Sequence, residues 1–272
     1  MAWVLRGLRD GIVTTRYPRR PDGYGPGFRG AIEVVPAPPV TTDGEQVLVP
    51  READETADLC PTGAIEIGPS GDVRVDRGRC ILCGRCVVFR PDRFVFSPTN
   101  ETSSLARSAL VVPMPLEDDA ALVRLRADLQ RRVKALRRSI HVRHVDAGSD
   151  GSEEWEVAAL ANPVYDVQRL GIYFTATPRH ADVLLVTGAG TMGMAGPLRA
   201  TFEAMPEPKV VVAAGTDAIG GGLIHPSYAT ASGVGGTVPV DIWVPGSPPS
   251  PFSLLHGILL GIGLLPAREP DS

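Results

Sequence analysis

Four cysteines carry the clearest chemical signal in the sequence. Three of them form the run Cys80-Ile-Leu-Cys83-Gly-Arg-Cys86, and Cys60 stands nineteen residues before that run, followed by a proline. Thiolates are the usual ligands of iron–sulfur clusters, and a spacing of two residues lets one tight loop supply three corners of a cubane. The pattern therefore predicts one [4Fe–4S] cluster bound by Cys60, Cys80, Cys83 and Cys86.

The same residues look like half of a two-cluster arrangement. In the run C-x2-C-x2-C-x3-C-P, the fourth cysteine ligates the other cluster. Counted back from Cys60, the other members of a first run would fall at Pro50, Ala53 and Thr56, and the last member of the second run falls at Arg90. None of these four side chains can ligate iron. One set of four ligands is therefore complete, and the other is lost altogether.

Two other uses of the four thiols stay open. A structural zinc ion can take the same four thiolates. Disulfide bonds fit the expected compartment less well, because no N-terminal apolar run is long enough for a secretory signal and cytosolic thiols are kept reduced. The most apolar stretch, Phe252–Leu265, is too short to cross a bilayer and predicts a buried helix.

The composition is that of a globular protein and gives no indication of nucleic-acid binding. Apolar residues make up 43% of the chain, which excludes a mostly disordered protein. The net charge is −4, from 27 basic and 31 acidic residues. Glycines (30) and prolines (26) are spread along the chain, which indicates many tight turns.

The cysteines lie in a region that predicts a small domain with little core of its own. We assign residues 31–107 to this α+β domain, in which Ala64–Gly68 and Asp72–Asp76 are strand-like. Residues 1–30 precede it with a short amphipathic start. That segment is either a frayed terminus or an arm that docks on a partner or on a membrane surface.

Residues 108–138 form a predicted linker and basic helix. Leucines and a valine recur at helical spacing between Glu117 and Arg138. The opposite face carries Arg124, Arg126, Arg131, Arg132, Arg137 and Arg138. This face is either simply solvated or a docking surface for an acidic partner.

From residue 139 to residue 272 the pattern changes to alternating strands and helices. Predicted strands are Ile140–Val145, Val183–Thr187, Val210–Ala214 and Val238–Val244, and predicted helices are Glu153–Ala161, Gly196–Ala204 and Pro251–Leu264. The alternation predicts an α/β fold with a mostly parallel sheet and helices on both faces. Ligands of such sheets collect at the carboxyl ends of the strands, where this sequence has glycine-rich turns.

One of these turns matches a dinucleotide-binding fingerprint. Gly188-Ala-Gly190-Thr-Met-Gly193 follows a strand and opens a helix, and Asp217 lies further along the chain. A nucleotide-binding oxidoreductase domain is therefore a weak alternative. The glycines would equally allow the strand, turn and helix to pack closely without any nucleotide.

A first group of segments lies in the first hundred residues. It comprises Thr14–Pro18, Phe28–Gly30, Cys60–Ala64 and Arg79–Cys86. These segments resemble the ferredoxin-like iron–sulfur subunit of formate hydrogenlyase and hydrogenase-4 complexes, which is related to the I-type subunit of NADH-quinone oxidoreductase. The resemblance implies a ferredoxin-like fold. Members of that family carry two clusters, whereas this chain has the ligands for one.

A second group of segments lies between residues 139 and 266. It comprises His144–Asp146, Glu154–Glu156, Pro163–Asp166, Arg169–Gly171, Pro178–Asp182, Met205–Lys209, Gly220–Gly222, Pro239–Asp241 and Pro245–Pro249. These segments resemble the hydrogenase small-subunit family that includes the B-type subunit of NADH-quinone oxidoreductase, which implies a flavodoxin-like fold. The chain thus looks like a fusion of two subunits that lie side by side in such complexes.

The second resemblance also points to a vacated metal site. Family members hold a [4Fe–4S] cluster on four cysteines, and those positions fall at Asp150, Glu153, Asp217 and Ser247. Three acids and a hydroxyl cannot hold a cubane in the usual way, so we expect no cluster here. The plainest interpretation is that polar residues fill the pocket. The alternatives are a hard cation such as Mg2+ or Ca2+ on carboxylate oxygens, or acids that titrate together beside a proton path.

These expectations combine into one leading function and one alternative. The resemblances imply an accessory electron-transfer subunit of a membrane-associated, hydrogenase-like or NADH-quinone-oxidoreductase-like complex, peripheral on the cytoplasmic face of the membrane. Its expected partners are a hydrogenase-like large subunit and the membrane subunits. Loss of the cluster that the small-subunit family carries would interrupt the electron relay toward a catalytic subunit. We therefore do not expect the chain to be catalytic alone. The alternative is a structural coupling subunit whose cluster only staples the small domain.

Overall fold

The structure is a computed structural model that describes residues 2–20, 25, 27–35, 56–68, 72–113, 119–134, 136, 139–224 and 227–265. Several positions named above lie outside the described residues: Pro50, Ala53, Glu117, Arg137 and Arg138. The described chain forms a smaller part that holds the four cysteines and a larger α/β part that follows it.

The cysteine-containing part is built from short elements. They are α1 (Ala2–Asp10), β1 (Ala31–Val34), β2 (Ile65–Ile67), β3 (Val73–Asp76), α2 (Arg85–Phe89), β4 (Phe94–Ser97) and β5 (Val111–Val112). β1 pairs with β4, and β3 lies between β2 and β5, with all pairs antiparallel. The strand-like patterns therefore predict β2 and β3 correctly, but not β1, β4, β5 or α2.

A small core holds these elements together. It consists of Ile32, Ile65, Val73, Val75 and Phe94. Cys60, Cys80 and Cys86 pack against this core with partly buried side chains. The cysteines therefore form one side of the only apolar cluster that the described residues of this part contain.

The larger part contains a five-stranded parallel sheet. Its elements are α3 (Asp119–Val133), β6 (Ile140–Asp146), α4 (Ser152–Ala159), β7 (Ile172–Phe174), β8 (Val183–Thr187), α5 (Met192–Ala204), β9 (Val210–Ala214), α6 (Thr216–Gly220), β10 (Ile242–Val244) and α7 (Pro251–Gly261). The strands lie in the order β10–β9–β8–β6–β7, which is the flavodoxin-like order. The predicted α/β fold with a mostly parallel sheet is confirmed.

Helices cover both faces of this sheet. Alternate residues of each strand face opposite sides, so each face presents its own set of apolar side chains to the helices. One face packs against α3, α4 and α7 through residues such as Val142, Leu185 and Val212. The other packs against α5 and α6 through residues such as Leu184 and Val211. Every residue of β8 and β9 is buried, as expected for central strands that are covered on both sides.

Several elements differ from their predicted bounds. β10 begins at Ile242 instead of Val238, because Pro239 has no N–H to donate to a strand partner. β7 lies at an edge of the sheet with only one buried residue, Ile172, so it lacks the apolar run that would reveal it. α6 occupies a glycine-rich segment that predicts only a turn.

The apolar stretch near the C-terminus forms α7, in which every residue is buried. This confirms the predicted buried helix, although it ends at Gly261 and not at Leu264. Among the described residues, no helix combines the length and the apolar character needed to cross a membrane.

The N-terminal arm docks on the larger part of the same chain. The Thr15 N–H donates to the Val164 carbonyl at 2.8 Å, and Arg169 Nη2 donates to the Tyr17 carbonyl at 2.6 Å. The Tyr17 ring is buried and lies edge-on to Phe252 at 5.7 Å. The Thr14–Pro18 segment of the first resemblance therefore contacts segments of the second.

Two other surfaces stay open to solvent. α1 exposes Trp3, Leu5 and Leu8 by two thirds or more of their surface, and docking of this helix on a partner or a membrane stays a prediction. In α3, Leu129 is buried but Leu125 is 45% exposed. The apolar stripe of α3 is therefore narrower than its leucine spacing predicts.

An ion pair between buried Asp76 and partly exposed Arg107 anchors the start of the cysteine loop. Asp76, at the end of β3, is 3% exposed and accepts hydrogen bonds from both terminal nitrogens of Arg107, at 2.7 and 2.6 Å. The Gly78 N–H donates to the same carboxylate at 2.9 Å. Gly78 itself lies against Arg107 and Ile219 with no room for a side chain. The pair thus ties β3, the cysteine loop and α6 together.

The Asp76→Ala substitution should therefore be strongly destabilising. It leaves the Arg107 guanidinium without its bidentate partner and removes the acceptor for Gly78. We expect the free energy of unfolding to fall by about 3 kcal/mol, measured by chemical denaturation. Asp128→Ala is the matched control, because Asp128 is 63% exposed beside Arg131; we expect a loss under about 1 kcal/mol. Equal losses in the two variants would contradict the anchoring role of Asp76.

Candidate metal centre and carboxylate pocket

The four cysteines line one cavity. Cys60, Cys80, Cys83 and Cys86 all border a space of about 350 Å³, which includes a part open to solvent. Cys83 is exposed and the other three are partly buried. All four are free thiols. The structure therefore brings the predicted ligand set together, although Cys60 is distant from the others in sequence.

The loop geometry explains how three cysteines reach one space. Between Cys80 and Cys86 the backbone turns at Leu82 (φ 54°) and Gly84 (φ 75°), and then α2 begins at Arg85. The left-handed conformation of Leu82 is uncommon for a residue with a branched side chain. These two turns wrap the loop around the cavity.

Backbone and hydroxyl groups point at the sulfur of Cys60. The Ala64 N–H donates to Cys60 Sγ at 3.2 Å, and Thr62 Oγ1 lies 3.4 Å from the same sulfur. The pKa of the Cys80 thiol is raised to about 12, mainly by burial and to a smaller extent by the charges of the other three cysteines. A set of four mutually repelling thiolates needs a positively charged group between them.

The donor set fits an iron–sulfur cluster in its chemistry, and the four residues border one cavity. Four thiols around one partly open cavity are the ligands that a cubane requires. Among the described residues, no three His, Cys, Asp or Glu side chains form a group that could hold a metal ion. The cluster therefore stays a prediction, with Cys60, Cys80, Cys83 and Cys86 as the residues that would hold it. A structural zinc ion on the same four thiolates also stays a prediction.

Two positions of the incomplete ligand set contact each other. Arg90 Nη1 donates to Thr56 Oγ1 at 3.0 Å, and the Arg90 guanidinium also binds Asp92 at 3.0 and 3.1 Å. Thr56 is 3% exposed. The side chains at the positions for the third ligand of the first run and the last ligand of the second run are therefore neighbours in space.

The cysteine loop is also tied to the larger part of the chain. Thr216, the first residue of α6, lies 3.1 Å from the Cys80 carbonyl and 3.1 Å from the Gly246 carbonyl through its Oγ1. Thr216 is fully buried. No local pattern in the sequence singles out Thr216, because its partners lie 136 and 30 residues away.

Asp217, the next residue of α6, belongs to the carboxylate pocket. We use this name for Asp150, Glu153 and Asp217, which interact electrostatically with one another. Ser247, the fourth predicted position, is exposed and no hydrogen bond joins it to the three acids in the described part of the chain. The structure therefore brings three of the four positions together.

The three carboxyls have very different surroundings. Hydrogen bonds from Ser152 lower the pKa of the exposed Asp150, whereas burial and the charge of Asp150 raise the pKa of Asp217. Glu153 is 1% exposed, and burial is the largest cause that raises its pKa to about 7. The charge of Asp217 adds to this rise.

The glycines of the nucleotide-like turn pack against the chain itself. A side chain at Gly188 would meet the backbone of Gly148 at 2.6 Å, and one at Gly190 would meet the Gly233 carbonyl at 2.6 Å. The turn therefore lies under two other loops. This close packing accounts for the glycines without a bound nucleotide.

The chain is similar to subunits of known complexes. Residues 151–260 match the family described as NADH ubiquinone oxidoreductase, 20 Kd subunit. Formate hydrogenlyase subunit 7 of Escherichia coli K12 is 36% identical over 159 residues, which are 58% of this chain and 61% of that protein. The probable membrane-bound hydrogenase subunit mbhJ of Pyrococcus furiosus is 37% identical over 139 residues, which are 51% of this chain and 83% of that protein.

One solved structure with similarity is that of the membrane-bound sulfane sulfur reductase, an archaeal respiratory membrane complex. The matching chain is 29% identical with a TM-score of 0.42, and the match covers 48% of this chain and 75% of that chain.

The five-stranded parallel sheet with helices on both faces defines a flavodoxin-like α/β protein. The chain belongs to the NADH ubiquinone oxidoreductase 20 Kd subunit family. It spans 61% of the length of the Escherichia coli formate hydrogenlyase subunit. The matched residues 151–260 include Glu153 and Asp217 and exclude all four cysteines.

The raised pKa of Glu153 predicts how stability depends on pH. A carboxyl with a higher pKa in the folded than in the unfolded protein destabilises the fold as pH rises from the ordinary value of 4.5 to about 7. The loss corresponds to roughly 3 kcal/mol once Glu153 is ionised. Glu153→Gln should therefore match the parent protein near pH 5 and be more stable near pH 8, measured by chemical denaturation.

The exposed Glu203 on α5 provides the control for this comparison. Glu203→Gln should leave the pH dependence of the free energy of unfolding as it is in the parent. If Glu153→Gln showed no gain in relative stability between these two pH values, the pKa of Glu153 would not be raised.

Proposed function

We propose that this chain is a peripheral iron–sulfur subunit of a membrane-associated, hydrogenase-like or NADH-quinone-oxidoreductase-like complex. The observation that carries the proposal is the convergence of Cys60, Cys80, Cys83 and Cys86 on one cavity. These four residues would hold one [4Fe–4S] cluster. The cluster would supply one-electron transfer, with hydrogen bonds to the Cys60 sulfur helping to set its potential.

A ferredoxin-like origin of the cysteine-containing part supports this assignment. The contact between Arg90 and Thr56 is what a lost second cluster site would leave behind, because both positions belong to the same incomplete ligand set. The part would then be a former two-cluster module that retains one complete set. This part is followed in the chain by a part of the small-subunit type. The chain would therefore be a fusion of two neighbouring subunits.

The partners follow from the relatives and from the exposed end of the cavity. Relatives of this chain are subunits of formate hydrogenlyase and of a membrane-bound hydrogenase, so we propose a hydrogenase-like large subunit and membrane subunits as partners.

Cys83 is exposed, and Val88 and Phe89 of α2 expose 76% and 61% of their surface nearby in the chain. An electron partner could approach the cluster at this surface. We place the subunit on the cytoplasmic face of the membrane.

A structural coupling role is the second candidate, and specific contacts favour it. The Cys80 carbonyl contacts Thr216 of α6, and the Asp76–Arg107 pair joins the start of the same loop to Ile219 through Gly78. A cluster in the cavity would therefore staple two parts of the chain. The second family cluster site carries acids instead of thiolates, which leaves no relay on this chain beyond the first cluster.

Metal analysis and redox titration separate these candidates. Anaerobically purified protein should contain about four iron atoms per chain and no zinc. Electron paramagnetic resonance should then detect one reducible cluster if the subunit transfers electrons. A cluster that never reduces would favour the structural role, whereas no iron, about eight iron atoms or one zinc ion would refute the single cluster.

Replacement of Cys60 gives the sharpest point test. Cys60→Ala should lose the cluster or convert it to a three-iron form, because the loop with the other three cysteines cannot supply a fourth thiolate. Iron content and the electron paramagnetic resonance signal would measure this. Thr56→Ala is the control, since Thr56 occupies a position of the incomplete set and should leave the iron content unchanged. A full cluster in Cys60→Ala would remove Cys60 from the ligand set.

A further inference from the structure

Glu153 is a buried carboxyl with one oxygen that lacks a partner. The side chain lies in the first turn of α4, and Oε1 accepts no hydrogen bond although it has no contact with solvent. Its other oxygen, Oε2, lies 3.2 Å from the Ser152 hydroxyl. That hydroxyl is closer to Asp150, at 2.6 Å. Because a hydroxyl has a single proton, it cannot donate to both carboxylates at once.

The neighbouring glutamate shows how a satisfied carboxylate looks in the same helix. Glu154 accepts hydrogen bonds from Thr187 Oγ1 at 2.5 Å and from Ser149 Oγ at 2.6 Å, and His144 Nε2 lies 3.6 Å away. Both of its oxygens therefore have donors. Glu153 has less support, because its Oε1 has no donor, and an ionised carboxylate oxygen without a donor is costly to bury.

The charges around Glu153 also favour its neutral form. Asp150 lies in the preceding loop and Asp217 faces it from α6, and both raise its pKa. Arg79 and Arg107 lie near the other end of α6, beside Gly220, but both pair with Asp76. The charges of Asp150 and Asp217 therefore meet no cation that ion-pairs with them in the described part of the chain.

The remaining elements around α4 add few ionisable groups. The titratable residue of α7, which packs on α4, is the buried His256, and the strand side presents His144, which pairs with Glu154. The loop after β9 contributes Gly215, where a side chain would lie 2.5 Å from Glu153 Oε1. Gly215 has φ 97°, a conformation that favours glycine and lets the backbone close over the carboxyl.

We propose that the carboxylate pocket is a reversible proton-binding site, in which Glu153 accepts one proton from solvent through the more exposed Asp150 and Asp217. Uptake converts one buried carboxylate to a carboxylic acid and removes one negative charge from three. The carboxyls differ in proton affinity. Hydrogen bonds from Ser152 favour the ionised form of Asp150, whereas burial favours the protonated form of Glu153. The proton therefore resides on the innermost group.

A carboxyl titration read by infrared spectroscopy tests this site on the full chain. The carbonyl stretch of a protonated carboxylic acid should appear below a midpoint near neutral pH and vanish in Glu153→Gln. Glu156→Gln is the matched control on the same helix, and it should retain the band and the midpoint. Persistence of the band in Glu153→Gln, or absence of any carboxyl that titrates above about pH 6, would overturn the proposal.

Two further measurements keep the result interpretable. Asp217→Asn should lower the midpoint, because it removes a neighbouring negative charge, and this variant answers the question if Glu153→Gln does not fold. Added Mg2+ or Ca2+ should leave the midpoint unchanged; a shift that depends on Glu153 would instead assign the pocket to a divalent cation. Iron content should be equal in the parent and in Glu153→Gln, so failure of the iron–sulfur assignment would not imitate failure of the proton site.

Discussion

The ion pair between the buried carboxylate of Asp76 and Arg107 is the interaction on which the cysteine-containing part depends. The carboxylate has three roles. It ends β3, receives both arms of Arg107 and orients the Gly78 N–H, just before the chain reaches Cys80. A charge this deeply buried is tolerated only when its partner is present and well oriented. The position of the cysteine loop is therefore fixed by an ion pair outside it, and not by the small apolar core alone.

The cysteine cavity and the carboxylate pocket both place acidic groups close together. Around the cysteines, burial and the charges of the neighbouring cysteines raise the pKa of the Cys80 and Cys86 thiols, which favours their neutral form. In the carboxylate pocket, three acids lie together, and Oε1 of Glu153 has no donor. α6 separates the two sites and contributes to both, with Thr216 on the Cys80 carbonyl and Asp217 in the pocket.

The parts of this structure that could be predicted from sequence are those with a strong local signal. β8 and β9 have their predicted bounds, because runs of four and five apolar residues that are buried on both faces fit the central strands of an α/β fold. The four cysteines were predictable as a set from their spacing. β7 was not, because two of its three residues are exposed.

Polar contacts between distant segments were equally invisible in the sequence. Arg107 binds Asp76 across 31 residues and Thr216 reaches Cys80 across 136, and nothing in the local pattern marks either side chain. The carboxylate pocket was predictable only through the family positions. Its graded burial, with Asp150 exposed and Glu153 enclosed, follows from how α4 and the Gly215 turn meet.

The docked N-terminal arm has a consequence for the order of folding during synthesis. Thr15 and Tyr17 leave the ribosome early, but their partners Val164, Arg169 and Phe252 are made much later. A chain that folds as it emerges therefore cannot complete the packing of this arm until α7 exists. The arm is translated before its partners but is packed only after them, so the two parts of the chain mature as a single unit.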